Sequence, residues 1–291
     1  MYQSCKKIAR LYFLLIVSVL SISSASIFVV LASAPGSVAA FWRLAFSVAL
    51  LLIVVRSFSF PRSLSELAFP IVAGISLAIH FSSWMESLFY ASVAVSTTIV
   101  CTHAIFSGVF SSLLGEKPTT KQILGVLVAI FGVYFLSGAD PNSKIEGVLL
   151  ALIGALAGGV YFTTGRFSRG RVDFETYVFL TYSVAALATL AINVSLGIPI
   201  FGYGLKSWVF FFLLALIPMM LGHTLINYLL RRMSVVPVTA SIIGEAVGAA
   251  ILAKLVLDQS LGFQAYFFMA IVLFGIAIAV TDDKRFYLRN R

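Results

Sequence analysis

Two ionisable side chains lie near the middle of long apolar stretches of this sequence. Glu245 lies in the stretch 235–256 and His103 in the stretch 93–114. A charged group at the centre of a membrane-spanning helix costs roughly 2.5–3.5 kcal/mol on the insertion scale, so such a residue is a candidate functional group. An acid and an imidazole can pair with each other, hold a substrate or pass a proton. A structural hydrogen bond between packed helices is the alternative for both residues.

The same two residues correspond in an internal repeat. A shift of 142 positions, the separation of Ser92 and Ser234, aligns 92–116 with 234–258 without a gap and places His103 on Glu245. Two copies of this period account for nearly all of the 291 residues. A long internal period predicts one fold unit used twice. We therefore predict a first repeat over 1–140 and a second over 141–291, the latter ending in a short basic tail.

Further polar side chains occur at helical spacing within apolar stretches. They are His80 and Trp84 in 67–88, Tyr161 in 147–166, and His223 and Asn227 in 208–230. Polar residues on one helix face predict contact with protein or a water-filled cavity rather than lipid. Interhelical hydrogen bonding is the alternative for these polar residues, and close helix packing accounts for most of the small-residue run around Tyr161. We expect one central pocket bordered by His80, Trp84, His103, Asn227 and Glu245.

Three other charged residues fall within or beside apolar stretches. Arg43 lies roughly 10 Å inside the outer end of 37–55 at 1.5 Å rise per residue. Its guanidinium can bind an anion, anchor an acid such as Glu86, or reach the outer headgroups by snorkelling. A structural or gating role is favoured over substrate contact for Arg43. Glu86 and Lys254 lie near helix ends and are predicted to be interfacial.

The composition decides the broad class of the protein. Apolar residues make up 60% of the chain and charged residues 11%. Soluble domains carry about 25% charged residues, and the apolar stretches approach the roughly 20 residues that span a bilayer as a helix. The sequence therefore predicts an all-α integral membrane protein with ten transmembrane helices. The predicted spans are 11–32, 37–55, 67–88, 93–114, 121–138, 147–166, 174–196, 208–230, 235–256 and 263–281.

The flanks of the first span imitate those of a secretory signal. The apolar run is longer than the roughly 7–15 residues of a signal core. We therefore predict that 11–32 is retained as a helix.

The basic residues indicate the orientation of these spans. With the N-terminus inside, sixteen of the 20 Lys and Arg residues lie on the inner side, two lie outside, and Arg43 and Lys254 lie within spans. The two outer residues are Lys144 and Lys206. The inner ones are Lys6, Lys7, Arg10, Arg56, Arg62, Lys117, Lys121, Arg166, Arg169, Arg171, Arg231, Arg232, Lys284, Arg285, Arg289 and Arg291. An excess of Lys and Arg marks the cytoplasmic side, so we predict a multi-pass protein of the cell membrane with both termini cytoplasmic. The net charge of +9 is thus a topology signal, and no nucleic-acid partner is expected.

Five spans in each repeat imply that the second copy crosses the membrane in the opposite direction. Inverted repeats of this kind are typical of secondary transporters, with the substrate site near the midplane where the repeats meet.

Short motifs connect this architecture with a known family. They are Phe41-Trp42-Arg43-Leu44-Ala45-Phe46, Leu114-Gly115-Glu116-Lys117, Gly244-Glu245-Ala246-Val247, and Asn227-Tyr228-Leu229 leading to Ser234. With ten helices in two five-helix repeats, the chain resembles the EamA-type permeases of the drug/metabolite transporter superfamily. Ala104 and Ala246 stand where that family commonly has prolines, so a helix-kink mechanism that depends on those prolines does not carry over.

The resemblance implies a secondary-active transporter of small organic metabolites, such as an exporter of amino acids. A nucleotide-sugar or phosphorylated-sugar carrier of the same superfamily is the alternative, although it would need a cationic site at the midplane. An intramembrane enzyme is less favoured because the spans contain no G-x-S-x-G, no H-E-x-x-H and no paired aspartates. A channel is disfavoured because no filter sequence is present. No cofactor or metal site is predicted; the expected partners are a small-molecule substrate and the lipid bilayer, with the protein a monomer or homodimer.

Overall fold

The computed structural model describes residues 2–61, 63–137, 144–258 and 263–281, with the side chains of 2–8 and 265 excepted. The boundary predicted between the two repeats, at 140/141, lies outside these ranges. So do Arg62 and the basic tail that contains Lys284, Arg285, Arg289 and Arg291.

The described residues form fourteen α-helices and one π-helical segment, and no strand is found among them. The first half contains α1 (Tyr2–Ile22), α2 (Ala25–Ala32), α3 (Gly36–Val54), α4 (Leu64–Ser87), α5 (Val93–Cys101), α6 (His103–Leu113) and α7 (Thr120–Ser137). The second half contains α8 (Ile145–Phe167), α9 (Phe174–Ser195), α10 (Leu205–Leu214), the π segment (Ala215–His223), α11 (Thr224–Leu230), α12 (Val235–Ile242), α13 (Gly244–Leu257) and α14 (Phe263–Thr281).

Eight continuous helical stretches within the described ranges are long and apolar enough to cross a membrane. They are Ala9–Ala32, Gly36–Val54, Leu64–Ser87, Val93–Leu113, Ile145–Phe167, Phe174–Ser195, Leu205–Leu230 and Val235–Leu257. Two shorter apolar helices, Thr120–Phe135 and Tyr266–Thr281, lie where the fifth and tenth spans were predicted. The protein is therefore an all-helical, multi-pass membrane protein.

Serine side chains cap the N-termini of two of the helices. Ser63 Oγ accepts a hydrogen bond from Glu66 N at 3.3 Å, and Ser92 Oγ accepts one from Val95 N at 3.3 Å. Each bond satisfies one of the backbone N–H groups that the first helical turn leaves without a partner. These caps define where α4 and α5 begin.

The fourth and ninth spans are each interrupted near the middle. α5 and α6 are separated by Thr102, and α12 and α13 by Ile243. At both interruptions the chain makes i→i+3 backbone bonds, with Ile105 N donating to Thr102 O at 2.9 Å and Ala246 N donating to Ile243 O at 3.1 Å. The two spans thus break at nearly matching positions without prolines there. As a result, the N-termini of α6 and α13, which carry partial positive charge, lie within the protein.

The eighth span contains the π segment. Pro218 lies inside it and His223 ends it. Proline has no N–H to donate to the helix, which favours a local departure from α-helical hydrogen bonding. The wider turn changes the direction of every side chain that follows, and π segments of this kind are frequent at functional sites.

The helices of the two halves pack in a mirrored pattern. α4 packs against α8, whereas the π segment and α10 pack against α1 and α2. α3 packs against α9, and α7 against α14. At the α7–α14 crossing, a Cβ on Gly125 would meet the backbone at Gly275 and Ala279, so the absence of side chains permits this close approach.

Candidate functional site

All three histidines of the chain surround the ring of Phe162 on α8. The ring centroid of Phe162 lies 4.9 Å from that of His103, 5.9 Å from that of His223 and 6.4 Å from that of His80. The rings of Phe162 and His223 are stacked, with an interplanar angle of 13°. Each histidine is buried. Residues far apart in the sequence therefore form one cluster, which we call the histidine cluster.

Glycines on α8 allow the histidine cluster to form. A Cβ on Gly158 would lie 2.9 Å from His80 Nδ1 and 3.4 Å from His103 Cβ. One turn away, His80 Nδ1 is 2.7 Å from the carbonyl oxygen of Gly154. The small-residue run of α8 therefore serves close helix packing, as its composition predicted.

Tyr161 and Asn227 form a hydrogen-bonded pair beside the histidine cluster. Asn227 Nδ2 donates to the hydroxyl of Tyr161 at 2.5 Å and to the carbonyl oxygen of His223 at 2.9 Å. Both side chains are buried. This pair links α8 to α11. The amide oxygen of Asn227 faces Gly165, and a Cβ on that glycine would lie 2.7 Å from the oxygen.

Trp84 extends the cluster along α4. Its indole stacks on the His80 ring with centroids 6.3 Å apart and an interplanar angle of 12°. The side chain is buried, and Nε1 has no hydrogen-bond partner in the described structure.

Several polar atoms of this interior lack hydrogen-bond partners among the described residues. They are Trp84 Nε1, His103 Nδ1, His223 Nδ1 and Asn227 Oδ1. Buried polar atoms in native proteins are nearly always hydrogen-bonded, because an unmade bond costs about 1–3 kcal/mol. Unpartnered donors and acceptors concentrated in one place can accommodate a polar ligand or water.

Arg43 is fully buried, which differs from the snorkelling considered for it. Its guanidinium carbon lies 4.0 Å from the centroid of the Phe81 ring, and Nε, Nη1 and Nη2 all lack hydrogen-bond partners within the described ranges. Arg43 does not snorkel, because the part of α3 that carries it packs against neighbouring helices, which include α4 and α9.

Arg43 does not anchor Glu86, which was one of the roles considered for it. Glu86 Oε2 accepts a hydrogen bond from Gly36 N at 2.8 Å and so occupies the N-terminus of α3. A carboxylate there interacts favourably with the helix dipole. A Cβ on Gly36 would collide with the backbone of Met85 and Glu86, so glycine permits this contact.

Glu245 lies in the first turn of α13 and is buried. It forms no ion pair with Arg43 or with His103 in the described part of the chain. Of the roles considered for Glu245 and His103, a direct pair between the two is not seen there. The imidazole of His103 packs against Phe162 on α8, because α6 packs against that helix.

Sequence reasoning missed three residues of this interior: Phe81, Phe162 and Tyr182. The two phenylalanines are among 26 in the chain and carried no distinguishing signal. Tyr182 is fully buried in the middle of α9, and its hydroxyl lies 3.0 Å from Thr224 Oγ1. A tyrosine at the centre of a predicted span was the available signal for this residue.

Two arginines connect helix ends of the second half by hydrogen bonds to backbone carbonyl groups. Arg166 Nη1 donates to the carbonyl oxygen of Leu230 at 3.2 Å, and Arg231 Nη2 donates to that of Val172 at 2.5 Å. Partial burial lowers the pKa of Arg231 from its usual value. Toward the C-terminal end of α13, Lys254 is exposed and donates to the hydroxyl of Tyr266 at 2.9 Å.

No group of three or more His, Cys, Asp or Glu side chains within the described ranges is arranged to hold a metal ion.

Comparisons with known proteins bear on both halves of the chain. The model of the EamA-like transporter family matches residues 9–138 and 145–281. A crystal structure with 17% sequence identity superposes with a TM-score of 0.77, covering 95% of this chain and 98% of that chain. This likeness shows that the two proteins share a fold. No curated protein sequence matches the chain.

Proposed function

Because the chain belongs to the EamA-like transporter family, a family of membrane transporters within the drug/metabolite transporter superfamily, we propose that it is a secondary-active transporter. Its substrates are small organic metabolites such as amino acids, and its direction is export. It resides in the cell membrane as a monomer or homodimer.

The transporter has ten spans arranged as two inverted five-helix repeats, 1–140 and 141–291. Three observations support this arrangement. The family model matches each half separately. The packing of α4 on α8 is mirrored by that of the π segment and α10 on α1 and α2. The Lys and Arg residues of alternate connections favour a cytoplasmic location for both termini.

Transport proceeds by alternating access around the interior between the repeats. The observation that carries this proposal is the enclosed set of unpartnered polar atoms on Trp84, His103, His223 and Asn227. They lie on spans from both halves, and in inverted-repeat transporters the substrate site lies at that junction. The fourth and ninth spans are broken helices, and the eighth span contains the π segment. Such departures from regular helix suit an interface between repeats that move relative to each other.

The test is uptake into proteoliposomes that contain the purified protein. The panel holds the protein amino acids and a set of nucleotide sugars, each measured with and without a proton gradient. Uptake of amino acids above that of empty liposomes is the expected result. Uptake of nucleotide sugars instead would identify the alternative carrier, and uptake of nothing in the panel would contradict the proposed substrates.

A further inference from the structure

A groove in the surface of the helix bundle lies between α6 and α7 of the first half and α12 of the second half. Its volume is about 350 Å³. Ala104, Val126 and Val236 are buried and form its floor, whereas Val109 and Leu127 on its rims are exposed. The groove is therefore an apolar depression that opens to the outside of the bundle.

Gly108 on α6 keeps this groove open. A Cβ there would have only Cγ2 of Val236 within 4 Å among the described atoms, at 3.6 Å. That distance is an ordinary van der Waals contact, so helix packing does not exclude a side chain at this position. A larger residue would instead occupy part of the groove.

The groove lies within the membrane-spanning part of the protein. Its walls belong to the spans Val93–Leu113 and Val235–Leu257 and to the apolar helix Thr120–Phe135. An outward-facing depression at this depth faces lipid tails rather than water. An apolar wall that no neighbour covers loses its dispersion contacts, and an acyl chain restores them.

Two lysines stand at one end of the groove. Lys117 directly precedes Pro118, which lines the groove. Lys121 is the second residue of α7 and lies two positions before Ile123, another lining residue. Both lysines are exposed, and neither forms an ion pair among the described residues. This end of the groove therefore carries positive charge.

Other groups at the same end favour an anion in this position. Glu116, the acid next to Lys117 in the sequence, is buried and faces Arg166 and the backbone N–H of Val235 instead. The N-terminus of α7 adds partial positive charge. Ser112, which carries the only polar side chain in the groove lining, is the penultimate residue of α6 and so lies toward this end.

We propose that the groove binds one anionic phospholipid of the bilayer. An acyl chain lies along the floor between α6, α7 and α12, and the phosphate lies at Lys117 and Lys121. Basic residues beside a membrane surface attract anionic headgroups, whereas a zwitterionic headgroup brings a cation of its own close to the lysines. The lipid contacts both halves of the protein and holds α6 and α7 against α12. This binding does not depend on the compound that the protein transports.

Native mass spectrometry of the full-length protein, released from detergent, measures lipid binding directly. The probes are palmitoyl-oleoyl-phosphatidylglycerol and the phosphatidylcholine with the same two chains. We expect the apparent Kd of the phosphatidylglycerol to be at least about tenfold lower, equivalent to about 1.4 kcal/mol. Dihexanoyl-phosphatidylglycerol has the same headgroup on short chains. It should bind at least about tenfold more weakly than the long-chain lipid, because each buried methylene contributes to binding.

A double variant tests the headgroup site. Lys117→Gln combined with Lys121→Gln is expected to remove the preference for phosphatidylglycerol, and because both side chains are exposed the protein should still fold. Lys206→Gln is the matched control. Lys206 is also exposed, and it is the second residue of α10 as Lys121 is of α7. The control should keep the wild-type preference.

A glycine variant tests the site of the acyl chain. Gly108→Leu fills the groove and should weaken binding of both long-chain lipids at least about tenfold. Gly204→Leu is the matched control, because a Cβ there has no atom within 4 Å and the residue lies outside the groove. The control should leave both Kd values unchanged.

Equal Kd values of the two long-chain lipids for the wild type would overturn the headgroup site. Unchanged lipid binding by Gly108→Leu would overturn the site of the acyl chain. If that variant does not fold, tight binding of the dihexanoyl lipid to the wild type would overturn it without any substitution. A dimer that Gly108→Leu dissociates, with lipid binding unaffected, would identify the groove as an interface between copies of this chain and overturn the lipid site.

Discussion

Glu116 and Arg166 form an ion pair that joins the two halves at one end of the helix bundle. Arg166 Nε donates to Glu116 Oε2 at 2.9 Å, and the other carboxylate oxygen accepts a hydrogen bond from Val235 N at 2.7 Å. One carboxylate of the first half thus holds both the end of α8 and the beginning of α12. A partly buried, charge-assisted contact of this kind contributes about 1.5–3 kcal/mol.

We expect Glu116→Gln to weaken closure toward the cytoplasm. The amide loses the charge that attracts Arg166, so states open to the inside should become about tenfold more populated, the ratio that corresponds to 1.4 kcal/mol. The measurement is the labelling rate of a cysteine introduced at Ser107, which is buried on α6, in inside-out vesicles that lack the native cysteines. Glu175→Gln is the control, because Glu175 is an exposed acid of α9 at the same end. Equal labelling rates in the two variants would show that the ion pair does not restrict opening.

A second prediction concerns Glu245 and His103. Glu245→Gln should express and insert normally and lose most transport, because glutamine keeps the size of the side chain but cannot ionise. His103→Ala should leave the pH dependence of transport unchanged, because the imidazole packs on Phe162 rather than on Glu245. Uptake against pH in proteoliposomes distinguishes the two variants. Normal transport by Glu245→Gln at every pH would show that the carboxylate has a structural role. A shifted pH profile for His103→Ala would show that His103 and Glu245 are coupled, as the repeat suggested.

The topology gives a third prediction. Single cysteines at Lys206 and Arg171, both exposed in the structure, should react from opposite sides of the membrane. An impermeant thiol reagent added to intact cells should label position 206 and spare position 171. Labelling of both positions from the same side would contradict the ten-span arrangement.

The crossing of α7 and α14 gives a stability prediction that does not depend on transport. Gly125→Leu should destabilise the protein by several kcal/mol, because the new side chain would meet the backbone at Gly275 and Ala279. Gly204→Ala is the control, because a Cβ there has no atom within 4 Å. Melting temperatures in detergent measure the difference. If the Gly125→Leu variant had the melting temperature of the wild type, α7 and α14 would separate easily enough to accommodate the new side chain.

The sequence by itself determined that the chain is helical and spans a membrane, because an apolar stretch of sufficient length has few other stable conformations in lipid. It also singled out some of the polar residues that lie inside. His80, Trp84, His103, Asn227 and Glu245 were singled out by their type and depth, and all are buried. The cost of placing a polar group in lipid is a property of the single residue, so the linear sequence is sufficient to reveal it.

Only the tertiary structure decided which of these residues meet. The repeat aligned His103 with Glu245 and allowed the two to pair, but in the structure α6 packs on α8 and the imidazole lies against Phe162. Snorkelling was one role considered for Arg43 from the sequence, whereas in the structure its guanidinium is buried and has no hydrogen-bond partner in the described interior. A helix break and a π turn shift the direction of every later side chain, and helix packing then selects the neighbours. Both depend on contacts between residues far apart in the chain, which spacing along one helix does not specify.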